Sequence, residues 1–313
     1  MPIIKTSDEL RSLVPGLDKT LKFDSISSLI NEVETDILTS VLGFELVDTL
    51  NTIYESGAAA TPLQKSLLSL SQKAVAYLAV MKYLPFGAIH ISDSGVYVIS
   101  TGDRKPISDA KLHKISQQLS DSGFNFIEKT MEFLEANLDE FPEYKNSEAR
   151  KETISFFITS AKEFTRFVNI RSSRITFMAL LPVMGSVEET WLTKRIGADV
   201  KAALLERRNN NALTDADKKL LPKIKRAVAF MTTADAAQVL SVELRNDSIL
   251  INEFTSSEST IRAYRPDPSV LEEFQATYTA KADEVMDEIL ELIKPASVTT
   301  DSSINSDSGF YLV

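Results

Sequence analysis

The sequence predicts a mainly α-helical protein: a tandem duplication of a helical bundle, each copy carrying a β-hairpin before a long last helix. Three observations predict it. The stretch "ETDILTSVLGFELVDTL" (34–50) returns 154 residues later as "EETWLTKRIGADVKAAL" (188–204), with the pattern Leu-Thr-x-x-(Leu/Ile)-Gly kept in both. "KAVAYLAV" (73–80) likewise returns as "RAVAFMTT" (226–233). Between and beyond these blocks the apolar residues keep helical spacing in both copies, and the length differences fall in polar or turn-forming segments. The boundaries that follow are residues 1–145 for the first repeat, 154–296 for the second, and 297–313 for an extended tail. "EFPEYKNSEARKET" (140–153) forms the link, because Pro142 ends a helical pattern and polar residues follow.

Each copy opens with a capping-box pattern, Thr6-x-x-Glu9 and Ser160-x-x-Glu163. Behind it, Leu10, Leu13 and Val14 match Phe164, Phe167 and Val168. Phe23 then matches Phe177, and Leu29 and Ile30 match Val183 and Met184. Gly43 and Gly197 mark helix ends, where a left-handed residue terminates the turn. A polar loop follows, longer by one residue in the first copy. The next helix opens at Thr61-Pro62 in one copy and at Thr214-x-x-Asp217 in the other. β-Branched runs come next. "AIHISDSGVYVIS" is split at Asp93-Ser94-Gly95 and "VLSVELRNDSILIN" at Asn246-Asp247, and each predicts a hairpin. The last helix starts near Ser108 in one copy and near Asp267-Pro268 in the other. Its stripe Leu112, Ile115, Leu119, Phe126, Ile127, Met131, Leu134 pairs with Leu271, Phe274, Tyr278, Val285, Met286, Leu290, Ile293.

At 313 residues, 43% hydrophobic and 25% charged, the chain has the length for two globular domains. No apolar run approaches the roughly 18 residues of a membrane span, and the N-terminus lacks the basic flank and apolar core of a secretory signal. The absence of cysteine removes disulfides, thiolate metal sites and cysteine nucleophiles. The formal charge of −10, acidic in both halves, opposes tight coating of nucleic acid. It serves solubility, or a surface that sits beside DNA without holding it.

The residues point away from catalysis and from any cofactor or metal. The two histidines, His90 and His113, fall on a hairpin strand and a helix and form no i, i+4 pair. Glu128, Glu132 and Glu135, and the Asp283, Glu284, Asp287, Glu288 group, read as solvated helix faces. Phosphate-cradling glycine loops and Gly-x-Ser-x-Gly elbows are missing from the sequence. Trp191 replaces Ile37 of the first copy and belongs to the core. Two basic stretches of the second copy stand out: Lys194, Arg195, Arg207 and Arg208, then Lys223, Lys225 and Arg226. They form either the exposed face of two helices or a patch facing an acidic partner or a DNA channel. The tail "ASVTTDSSINSDSGFYLV" has linker composition and closes on Phe310, Tyr311, Leu312 and Val313. These four either stay solvated or dock on a neighbouring subunit.

"LKFDSISSLINEVETDILTSVLGFELVDTL", its partner "ITFMALLPVMGSVEETWLTKRIGADVKAAL" and "TSAKEF" (159–164) together resemble an uncharacterised family of Bacteroidetes phage and prophage proteins. The likeness covers about residues 3–255. A single repeat also resembles, more loosely, the helical head–tail connector (adaptor) proteins of tailed phages. That likeness implies a non-enzymatic virion protein of the neck, assembled in the bacterial host cytoplasm as a homo-oligomeric ring, a dodecamer by preference over a hexamer. It implies portal and tail or neck proteins as partners, DNA passing through without sequence-specific binding, and no membrane. The departure is the duplication, since a usual adaptor has about half this length. The competing expectation is a non-virion helical adaptor or regulatory module that binds a host or phage protein.

Overall fold

A computed structural model describes residues 2–57, 60–87, 89–92, 95–98, 108–239, 251–254, 261–264 and 268–293, and these are mainly helical. The first half runs α1 (Ser7–Leu13), α2 (Ser27–Val33), a π-helical turn (Glu34–Leu38), α3 (Thr39–Leu42), α4 (Phe44–Ser56) and α5 (Pro62–Gly87). Strands β1 (Ile89–Ser92) and β2 (Gly95–Val98) pair antiparallel, and α6 (Asp109–Ala136) follows. Two short link helices, α7 (Pro142–Lys145) and α8 (Glu148–Ser155), lead into the second half. That half runs α9 (Ala161–Thr165), α10 (Arg174–Ser186), a second π-helical turn (Val187–Leu192), α11 (Thr193–Ile196), α12 (Ala198–Asn209) and α13 (Asp215–Val239). Strands β3 (Ile251–Phe254) and β4 (Ile261–Tyr264) then pair antiparallel ahead of α14 (Pro268–Ile293).

Local structure follows the sequence signals closely at the caps. Thr6 accepts from the Glu9 amide while the Glu9 carboxylate accepts from the Thr6 and Lys5 amides. This reciprocal box satisfies donors that a helix start leaves open. At α9, Ser160 accepts from the Glu163 amide, and Glu163 reaches back to the Thr159 amide. Thr61–Gln64 and Thr214–Asp217 make the same reciprocal pair before α5 and α13.

Three features differ from the sequence expectation. Gly43 and Gly197 have φ of 84° and 88° with ψ of 151° and 145°, so neither is the left-handed helical cap. Both occupy the extended positive-φ region open essentially only to glycine, which turns the chain sharply from α3 to α4 and from α11 to α12. The helices preceding them each contain a π turn at matched positions, where Thr39 and Thr193 hydroxyls donate to the Glu34 and Glu188 carbonyls. The second hairpin pairs Ile251–Phe254 with Ile261–Tyr264. The sequence reading does not pair these two segments, and Asn246-Asp247 lie outside the described residues, as do Asp93 and Ser94. Gly95 opens β2, paired with Ser92.

Burial divides the apolar side chains into two clusters, one running from Ile3 to Tyr144 and one from Phe157 to Ile289. In each, a pair of long helices (α5 with α6, α13 with α14) packs along its length and carries the preceding short helices on one face. Close approach at the first pair depends on Gly123, where a Cβ would lie 2.5 Å from Leu78 Cγ. Ala282 takes the corresponding place in α14 and is fully buried. The halves meet where α6 packs on α10 and α3 packs on α8.

Candidate functional site

The polar groups that organise the molecule sit at two kinds of place. The first is the start of each π turn, where Glu34 and Glu188 are buried inside otherwise apolar surroundings. Glu34 accepts from the Ile3 amide at 2.9 Å and from Asn51 Nδ2 at 2.8 Å. Glu188 accepts from the Phe157 amide at 2.8 Å and lies 3.6 Å from Lys201 Nζ. Burial pushes the Glu188 carboxyl above its ordinary value, and the Phe157 amide, Lys201 and Arg208 pull it partly back. Each carboxylate pins the entry segment, residues 3–4 or 157–158, onto its bundle.

The second place is the junction. Glu128 of α6 and Arg174 of α10 face each other at 3.3 Å, both about 5% exposed. The same carboxylate accepts from the Ala161 amide at 2.8 Å and the Lys162 amide at 3.4 Å, closing the open start of α9. Around this buried pair, Glu132 takes Lys162 at 3.1 Å, and Glu135 takes Arg150 at 2.9 Å and the Tyr144 hydroxyl at 3.1 Å. Of the three glutamates expected on a solvated face, Glu132 and Glu135 are exposed as expected, whereas Glu128 is buried against the second half. Burial lowers the Arg174 pKa, an effect that Glu128 opposes. Beside the pair opens a 340 Å³ cleft lined from both halves, among others by Val41, Met131, Phe156, Phe177 and Leu181.

The basic residues singled out in the sequence are largely engaged within the chain. Arg195 lies over the Trp191 ring at 4.7 Å and 3.2 Å from Asp283. Arg207 holds Asp217 through two 2.7 Å hydrogen bonds, which keep that carboxyl far below its usual range. Arg208 donates to the Phe156 carbonyl at 2.6 Å, the Phe157 carbonyl at 3.2 Å and the Ile154 carbonyl. Lys223 pairs with Glu288, Lys225 pairs with Glu163, and Arg226 lies 5.3 Å from the Phe230 ring centre. Lys194 is exposed. Trp191 is buried in the second core, as expected for a residue standing in for Ile37. Phe310, Tyr311, Leu312 and Val313 lie outside the described residues, as does the His90 side chain; His113 lies on α6.

Sequence reading missed the roles of Glu34, Glu188, Glu128 and Arg174. A signal existed for the first two: a glutamate recurs at the same place in both quoted stretches, inside an apolar stripe. Nothing comparable marked Glu128 and Arg174, whose pairing depends on how the halves dock. Among the described residues, no group of three or more His, Cys, Asp or Glu side chains could hold a metal ion, and no helix is long and apolar enough to cross a membrane.

The described residues define a mainly helical protein whose two apolar cores are joined through a buried ion pair. The chain matches a family of unknown function, DUF6712, over residues 38–154 and again over 192–297. It belongs to that family. The two matched segments begin at Leu38 and Leu192, which hold corresponding positions at the ends of the two π turns. No match was found among curated proteins or among solved structures.

Proposed function

We propose that the chain is a tandem duplication of one helical bundle, each copy with its hairpin, and that it serves as a structural virion protein. In this reading it forms a head–tail connector (adaptor) ring that joins the portal to the tail or neck around the DNA channel, and it acts by assembly rather than by catalysis. One observation carries the reading: large apolar side chains remain uncovered outside the two apolar cores. Phe44 is 74% exposed at the α3–α4 turn, Val270 59% and Phe86 52%. Such surface is used when subunits associate, since apolar area leaves water at the interface core. The twofold family match supports the duplication, and the acidic balance suits a collar through which DNA slides.

The proposed mechanism is heterologous packing around a closed ring, each contact burying roughly 800 Å² per partner. Twelve copies are favoured over six because the halves have diverged in charge and loop length, which two-tiered stacking accommodates. The test is electron microscopy of the purified protein, alone and with its cognate portal, with class averages viewed along the ring axis. Closed rings support the reading. A monomer that never engages the portal overturns it in favour of a non-virion adaptor.

A further inference from the structure

The junction between the halves holds a cavity that neither bundle forms alone. The 340 Å³ cleft beside the Glu128–Arg174 pair is walled by α3, α6, α8, α10 and the segment 156–159, and every residue lining it lies well inside the described segments. Val41, Met131, Phe156, Phe177, Met178 and Leu181 give it an apolar wall. Two charged residues line it: Glu152 is exposed, whereas Arg174 is buried. An apolar cleft of about 300–1,000 Å³ at a domain interface, with a few placed polar groups, is the usual form of a small-molecule site.

Arg174 offers more donors than its ion pair uses. A guanidinium carries five N–H groups in a fixed fork. Among the described residues Arg174 makes one hydrogen bond, from Nη1 to Glu128 at 3.3 Å, and its Nε is buried without a partner. The guanidinium lies over the Phe177 ring at 5.4 Å, beside the cleft's apolar wall. Neither bundle requires the residue for its own packing, since Thr20, which is exposed, holds the corresponding place in the first half. Glu128 does not saturate the fork, because its Oε1 already accepts from the Ala161 and Lys162 amides. A buried N–H left unpaired costs free energy that an acceptor in the cleft would return. The acceptor that meets a guanidinium edge with two parallel bonds is a carboxylate. We infer that the cleft binds a small monocarboxylate with an apolar body, its head on the Nε edge of Arg174 and its body against Met131, Phe177 and Leu181. If each non-hydrogen atom takes the ~30 Å³ that a water occupies in the liquid, 340 Å³ holds about eleven, the size of octanoate. The site lies within one chain and stands or falls apart from the ring reading.

The test is isothermal titration calorimetry of the full-length protein with octanoate, octanol and octyltrimethylammonium, which share a tail and differ in the head. Octanoate should bind at least about tenfold more tightly than octanol, a ratio matching ~1.4 kcal/mol of head-group preference. The cation should not bind. Ala149→Phe puts a ring into the cleft from α8 while leaving Arg174 in place, and should weaken octanoate at least about tenfold with the thermal midpoint kept. Arg174→Met with Glu128→Leu removes both charges together; it should keep octanol binding and leave octanoate no tighter than octanol. Equal affinities for octanoate and octanol in the unaltered protein overturn the inference, as does binding of neither. Octanoate binding that Ala149→Phe leaves unchanged puts the ligand elsewhere and overturns it too. Should a variant fail to fold, the head-group comparison on the unaltered protein decides by itself.

Discussion

Glu34 and Glu188 occupy the same place in the two halves and hold the same backbone, yet they are satisfied differently. Asn51 supplies the side-chain donor in the first half, and Lys201 in the second. Lys201 corresponds to Val47, one helical turn before Asn51, so the donor has moved four residues along the same helix face. A second exchange lies nearby. In the first half Tyr54 donates to Glu9 and Gln72 donates to the Ile3 carbonyl at 2.7 Å. In the second half Arg208, in place of Tyr54, takes the Phe157 carbonyl, and Lys225, in place of Gln72, takes Glu163. Two tasks have been swapped between two positions. The difference teaches that the entry segment's amides and carbonyls are the constant demand, because buried backbone polar groups must be paired. The side chains that meet it are interchangeable provided they donate. Part of the second half's larger share of basic residues comes from that exchange.

The largest expected effect comes where the halves have no counterpart. Arg174→Ala leaves Glu128 buried with its charge uncompensated and should cost about 3–5 kcal/mol in urea unfolding. The double variant Arg174→Met, Glu128→Leu should recover much of that loss. Next, Arg208→Ala strips the 154, 156 and 157 carbonyls of a shared donor and should cost about 1–3 kcal/mol. Installing the first-half pair, Arg208→Tyr with Lys225→Gln, should restore part of it; no recovery would break the exchange argument.

The two turn glycines sharpen the comparison further. Both lie where side chains are strained by about 1–3 kcal/mol. A Cβ on Gly43 would also meet Ser147 Cβ at 2.9 Å, whereas Gly197 has open space. Gly43→Ala should therefore lower the thermal midpoint more than Gly197→Ala. A smaller effect concerns pH. With its folded pKa raised above 4.5, Glu188 binds more protons in the native state than in the unfolded state over the window between those values. Stability from this group is therefore present at low pH and declines as pH rises through the window. Glu188→Gln should flatten that decline in urea midpoints measured between about pH 4 and about pH 7. Smallest of all for stability, deleting residues 309–313 should leave helical content and midpoint unchanged while weakening association, read by sedimentation. Identical assembly of the shortened chain would remove the tail's docking role.

Much of the helical layout was legible. Capping residues at Thr6, Ser160, Thr61 and Thr214 act on neighbours three residues away, so their signals are local and survive in the sequence. The apolar stripes of α6 and α14 were legible in part: Ile127, Met131, Leu134, Val285 and Met286 are buried, while Ile115 and Phe274 near the helix starts are exposed. The π turns were not, because short apolar stripes of this length read the same with an α or a π turn inside them. Glu128 was read as solvated because an acidic helix face looks the same whether water or another domain meets it.

By itself the sequence determined the helices, their order along the chain, and the apolar stripes from which the cores are drawn, since each depends on spacing within a single segment. Only the tertiary structure decided that Glu128 and Arg174 lock the halves together, that the basic residues are largely engaged within the chain, and that a cleft opens beside that pair. Those outcomes turn on which surfaces come within a few ångströms of each other. Charge pairing and cavity filling are set by that distance, and no single segment encodes it.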